Sequence, residues 1–200
     1  MGRKANLKKI NSNSNKRAQL AKSAFPYFQK EGVKNFKMDE LAKLLGKSKT
    51  TIYKHFIGRE DLVDFIINKK LIELSSYENY LFDDSIDYLH RYELCIQHIG
   101  KVLAGISNKF LLEVSEIYPE LWDKVRLFKQ NALENLSRYY LEGQKLGIIK
   151  NIDPFVLLAT DKLFLESLLS STFLEQSSLS LDCVLGDYFR LKCYGMALED

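Results

Sequence analysis

Residues 48–56, Ser-Lys-Thr-Thr-Ile-Tyr-Lys-His-Phe, gather hydroxyls, cations and aromatic rings in nine consecutive residues. If this stretch is helical, Ile52 and Phe56 share a face and can enter a core. Thr50 and Lys54 then lie on roughly the opposite face, with Thr51 and Tyr53 beside them. Such a face suits the major groove of a nucleic acid: hydroxyls and ammonium groups meet phosphates and base edges, and a threonine methyl can touch thymine. A solvated face on an ordinary helical hairpin would show the same pattern.

Other chemistries fail on spacing. Gly46-Lys47-Ser48 ends like a phosphate-binding loop, but Leu41 stands at the first glycine position and a helical pattern precedes it where a strand is required. His90 and His98 are two helical turns apart, about 12 Å, too far for one metal ion. Asp87 with His90 makes at most a solvated i,i+3 pair. No nucleophile, paired-carboxylate or metal constellation emerges, so the expectation is a protein that is not an enzyme and needs no cofactor or metal.

Charge is distributed unevenly. Residues 1–60 hold 15 Lys and Arg against 4 Asp and Glu, a balance of +11; the remaining 140 hold 14 against 22, a balance of −8. Polyanion binding asks for the first composition and solubility for the second. With 46% hydrophobic and 28% charged residues the chain has a globular composition, and 3 prolines and 10 glycines are too few for the turns of an all-β fold. No apolar run is long enough to span a bilayer and the start of the chain is not signal-like, which predicts a cytoplasmic protein with no membrane partner. Cys95, Cys183 and Cys193 share no metal-like spacing and read as reduced, buried thiols.

The elements that must position residues 48–56 follow from periodicity. Residues 1–15, polar and basic, read as a flexible arm. From Lys16 the spacing of Leu20, Ala21, Ala24, Phe25 and Phe28 predicts a helix ending at Gly32, with a local adjustment at Pro26. A second short helix spans Met38–Leu45 and stops at Gly46. A third runs Lys49–Phe56 with Ser48 as its cap. This is the outline of a three-helix helix-turn-helix module over residues 16–60. Longer helices are expected at about 59–81, 84–106, 109–117, 120–145, 153–176 and 182–197, giving a helical bundle over residues 61–200.

The segment Lys16–Ile67 resembles the N-terminal domain of the TetR family of transcriptional regulators, most specifically through LAKLLGKSKTTIYKHFIGREDL at 41–62. The resemblance implies an all-α fold, with this module followed by a larger bundle that binds a ligand and dimerises. It implies that Ser48, Tyr53, His55 and Arg59 contact the DNA backbone and that Lys49, Thr50, Thr51 and Lys54 face the groove. Lys37 stands where the family usually offers a Thr or Ser cap and Lys47 where it usually has an apolar turn residue. Both are counted with the DNA-facing set, Lys47 because its methylenes can lie on the core while its ammonium reaches phosphate.

Within the bundle, the rings Tyr88, Tyr92, Phe110, Tyr118, Trp122, Phe128 and Tyr139, together with His98, are candidates for a pocket for an apolar or aromatic effector, although rings at helical spacing equally build a core. The apolar excess of the last two helices, with Phe155, Leu158, Leu165, Leu169, Phe173, Tyr188 and Leu191, marks them as candidates for a homodimer interface. The reading is a repressor released by a small molecule from an inverted-repeat operator in duplex DNA. The alternatives are an effector-independent DNA-binding protein, and a helical scaffold whose basic end binds RNA or a membrane surface.

Overall fold

The computed structural model describes residues 2–168 and 179–196, with side chains from Ser14 onward. The described helices are α1 (Gly2–Glu31), α2 (Met38–Leu44), α3 (Lys49–Tyr53), α4 (Arg59–Ser75), α5 (Glu78–Leu81), α6 (Tyr88–Ala104), α7 (Asn108–Ile117), α8 (Pro119–Lys145), α9 (Pro154–Leu168) and α10 (Leu181–Met196). Among the described residues no helix is long and apolar enough to cross a membrane. The chain forms two compact units: the first comprises the residues up to Lys69 together with Lys109–Trp122, the second Lys70–Asn108 and the chain from Asp123 onward.

In the first unit the periodicity of α1 does what its sequence requires. Leu20, Ala21, Ala24 and Phe28 are buried, and the helix ends on Gly32 in the left-handed region (φ 78°), whose N–H donates to the Phe28 carbonyl at 3.0 Å. Residues 2–15 depart from expectation: their backbone continues α1 instead of forming a separate irregular arm. Nothing between Lys4 and Lys16 breaks a helix, and propagation from a nucleated segment costs far less than nucleation.

The first unit also contains a piece of chain that lies far along the sequence. Phe110 of α7 meets Phe25 edge-on at 5.5 Å and stacks on Phe28 at 6.2 Å. Glu113 accepts from the backbone N–H groups of Val33 and Lys34, both at 2.6 Å, pairing amides of the loop that follows α1.

The second unit packs α5, α6, most of α8, α9 and α10 around Tyr77, Tyr92, Ile96, Leu136, Tyr139, Tyr140 and Leu185. The helix expected over 59–81 is divided at Ser76–Tyr77, where the Ser75 and Ser76 hydroxyls donate back to the Ile72 carbonyl. α6 starts at Tyr88 because Asp87 caps it, accepting from Leu89 N–H and His90 N–H at 3.1 and 3.2 Å. His90 pairs with Glu93, and His98 donates from Nε2 to the Glu73 carbonyl at 2.7 Å. Of the cysteines only Cys95 is fully buried; Cys183 is exposed and Cys193 half-buried, so the expectation of three buried thiols is corrected by the outward register of Cys183 on α10.

A polar cluster lies inside this apolar unit. The fully buried Asp161 of α9 accepts from the hydroxyls of Tyr92 and Tyr188, each at 2.6 Å, and from the Tyr140 hydroxyl. Lys192 of α10, also buried, places its ammonium 3.0 Å from the same carboxylate and donates to the Leu157 carbonyl and the Thr160 hydroxyl. Burial raises the ionisation of the three tyrosines well above its usual range, which keeps them protonated donors. The same burial lowers Lys192, against the pull of Asp161 in the other direction.

Candidate nucleic-acid interface

α2 and α3 are short, so their placement depends on caps and on a few buried side chains. Lys37 occupies the N-cap of α2 without a side-chain capping bond, and Glu40 substitutes for the missing hydroxyl by reaching back to the Lys37 N–H at 3.4 Å. Gly46 (φ 58°) makes the turn, and the Lys47 N–H closes it on the Ala42 carbonyl at 2.9 Å. Ser48 then caps α3, its Oγ accepting from Thr51 N–H at 3.1 Å. α3 ends at Tyr53, earlier than the expected Phe56, yet the helical bonding runs on from Lys54 N–H to the Thr50 carbonyl and from Phe56 N–H to the Ile52 carbonyl.

Ile52 and Phe56 are completely buried and pin α3 to the unit, while Thr50, Tyr53 and Lys54 are exposed and Thr51 is half-exposed. The inner and outer faces are therefore those expected from the spacing. Arg17 of α1 adds a brace: its guanidinium lies 4.5 Å from the Phe56 ring centroid and bonds Asp61 at 2.6 Å, and Asp61 accepts in turn from Ile57 N–H at 3.0 Å.

Lys49, His55 and Arg59, from the expected DNA-facing set, are engaged within the protein. Lys49 is ion-paired with Asp39 at 2.5 Å, and this contact holds its ammonium above the usual range. His55 is nearly buried; burial first, then the nearby Lys16, Lys54 and Arg17, lower its basicity. Because the unfolded chain takes up this proton more readily than the folded one, His55 lowers stability as pH falls below about 6.5.

Arg59 is engaged most completely. Nε donates to the Tyr118 hydroxyl at 2.7 Å and Nη1 to the carbonyls of Lys34 and Phe36 at 2.7 and 3.3 Å. It ties α4 to the loop before α2 and to the end of α7, so the phosphate contact carried over for it from the resemblance is not supported by where its donors point.

One wall of the interface was not foreseen. A groove of about 860 Å³ beside α3 is lined by Leu45, Lys47, Ser48, Thr50, Thr51, Lys54 and His55 on one side. On the other it is lined by Lys16, Gln19, Leu20, Lys22 and Ser23 of α1. The signal was present in the sequence, since Lys16, Gln19, Lys22 and Ser23 repeat at helical spacing away from Leu20 and Ala24.

The aromatic candidates for an effector pocket are divided between the two units. Phe110, Tyr118 and Trp122 belong to the first unit, and Tyr88, Tyr92, His98, Phe128 and Tyr139 to the second. Tyr88 and Tyr139 stack at 4.4 Å, and each donates its hydroxyl to the other's backbone carbonyl, an arrangement that fills a core. Of the candidate interface residues, Phe155 and Leu191 are each 75% exposed, whereas Leu158, Leu165 and Tyr188 are half-buried against the second unit's core. Leu169 and Phe173 lie outside the described residues.

Residues 20–65 match the family model described as bacterial regulatory proteins, tetR family. An HTH-type transcriptional regulator of Staphylococcus aureus (strain USA300) is 28% identical over 117 residues, 54% of this chain and 63% of the relative, so the match spans less than two thirds of that protein. The structure of the ketosteroid transcriptional regulator KstR2 of Mycobacterium tuberculosis superposes with a TM-score of 0.72 at 15% identity, covering 92% of this chain and 96% of that one. A transcriptional regulator from Saccharomonospora viridis, in complex with choline, gives 0.72 at 16% identity over 93% of this chain and all of that one. At these identities the solved structures establish a shared all-helical fold: an N-terminal helix-turn-helix followed by a helical domain.

Proposed function

We propose that this chain, whose residues 20–65 match the model of the tetR family of bacterial regulatory proteins, is a sequence-specific transcriptional regulator that binds duplex DNA as a homodimer. The observation that carries this reading is α3. Ile52 and Phe56 fix the helix from beneath, and Thr50, Tyr53 and Lys54 stand exposed on its outer side behind the Gly46 turn. RNA or lipid binding requires no such face at the end of a helix-turn-helix. Lys47 and Ser48 line the groove beside this face, and Lys37, at the N-cap of α2, is retained in the proposed DNA-binding set.

The second unit supplies the reason to expect pairing. Phe155, Leu163, Leu191 and Tyr194 on α9 and α10 are between 66% and 81% exposed, a patch that a second copy would cover. A small-molecule effector that releases DNA is the regulatory reading we favour. It is supported by the choline-bound protein of the same fold, and it makes choline the first compound to titrate against a DNA complex.

Lys54→Ala tests the DNA reading. Loss of a groove contact changes base preference, at a cost of about 1–3 kcal/mol at the base pair it reads, whereas Lys47→Ala weakens all sequences alike. The check is selection of bound duplexes from a random pool by each variant. Identical enriched motifs for wild type and Lys54→Ala would remove Lys54 from the readout.

A further inference from the structure

We infer that the groove between α1 and α3 seats one sugar-phosphate strand of duplex DNA, so that Lys16, Gln19, Lys22 and Ser23 of α1 are DNA-binding residues. This rests on the DNA-binding reading above and extends it to a wall that the helix-turn-helix pattern does not include.

The first ground is how the charges of this unit are spent. Asp39 is committed to Lys49, Asp61 to Arg17 and the Ile57 amide, and Glu40 to the Lys37 amide. The cations those carboxylates neutralise, Lys49 and Arg17, do not line the groove, and no carboxylate does. Lys16, Lys22, Lys47 and Lys54 all line it, and none of the four has an ion-pair partner among the described residues. Four exposed ammonium groups along one concavity, with no carboxylate in its lining, give it a positive potential that attracts an anion. Both walls act on His55: Lys16 and Arg17 from α1 and Lys54 from the end of α3 each disfavour its protonation, after the larger effect of burial.

The second ground is the supply of neutral donors. Ser48 Oγ and Thr51 Oγ1 lie 2.8 Å apart, and Ser48 Oγ also accepts the Thr51 amide. Two hydroxyls sharing one bond use one of their two hydrogens, which leaves one to donate outward. With the Gln19 amide and the Thr50 and Ser23 hydroxyls this gives the mixed ammonium, amide and hydroxyl lining that phosphodiester oxygens accept from. Third, Thr50 and Lys54 belong both to the groove lining and to the outer face of α3. A duplex whose major groove receives α3 therefore has a strand bordering that groove at this position, and the concavity is continuous with the recognition surface.

The test uses the full-length protein and a fluorescent mixed-sequence duplex of about three helical turns, with affinity followed across a salt series. Each phosphate contact contributes about 0.9 to the slope of log affinity against log salt, so Lys16→Ala with Lys22→Ala should flatten the slope by about two units. The double Lys→Arg variant should keep it. Removing two exposed lysines of the second unit, Lys145→Ala with Lys162→Ala, is the charge-matched control and should leave the slope unchanged. If wild type binds with a steep slope and the α1 variant behaves like the control, the strand does not run along α1 and the proposal is wrong while the DNA reading stands. An equal loss of slope on single-stranded RNA would make the groove a general polyanion cleft and overturn its assignment to a duplex strand. Absence of salt-dependent binding by wild type would remove the DNA reading itself.

Discussion

Asp161→Ala is expected to destabilise the protein by about 3–5 kcal/mol, the cost of leaving one partner of a buried ion pair without its counter-charge. The variant strands the Lys192 ammonium in an apolar interior and orphans the hydroxyls of Tyr92, Tyr140 and Tyr188, all of which converge on that carboxylate. Removing both charges with Asp161→Asn and Lys192→Met should be much milder, because the amide oxygen can accept from two of the tyrosines while its NH2 donates to the third hydroxyl, and the methionine stem fills the space of the lysine. Denaturant unfolding of wild type, Asp161→Asn, Lys192→Met and the double variant closes the cycle. A coupling energy within about 0.5 kcal/mol of zero would mean that the two residues are packed together without depending on each other. The cluster joins α6, α8, α9 and α10, so its loss should loosen the second unit and leave the first folded.

The second large effect concerns pairing. Phe155→Glu with Leu191→Glu should yield a soluble, fully helical monomer, since both side chains are exposed in the single chain and neither supports its core. A second copy, by contrast, would have to bury four new carboxylates, two from each subunit. Linked binding modules gain a factor of about 10²–10⁴ from effective concentration, so operator affinity should fall at least a hundredfold. Sedimentation and DNA titration of the same preparation read both quantities. An intact dimer would move the interface away from α9 and α10. Leu165 is unsuited to this test: it is half-buried against the unit's core, and a charge there would unfold what it was meant to separate.

The parts legible in the sequence were local ones. The inner and outer faces of α3 follow from the positions of Ile52, Phe56, Thr50 and Lys54 within a single short helix, and a helix period is enough to sort them. The ends of α1, α2 and α8 coincide with glycines at left-handed positions, Gly32, Gly46 and Gly147, whose chemistry is equally local. What escaped depended on distant chain. Arg59 reads as a free cation at a helix start until Tyr118, 59 residues on, is brought beside it. Glu113 carries no sequence signal for its two bonds to the loop after Glu31. Asp161 is followed directly by Lys162 in a mostly apolar helix, and its actual partners lie 21 to 69 residues away. For the aromatic residues, helix period alone does not distinguish a ring that lines a cavity from one that fills a core, or assign two rings to the same unit.

The central claim is that paired α3 helices read duplex DNA, and sequencing the genomic fragments retained by the purified wild-type protein tests it most directly. The expected result is one enriched inverted repeat whose half-sites are about one helical turn, roughly 34 Å, apart, because two recognition helices related by a two-fold axis meet the groove at that spacing on one face. Fragments that share no motif, or a motif without dyad symmetry, would contradict it.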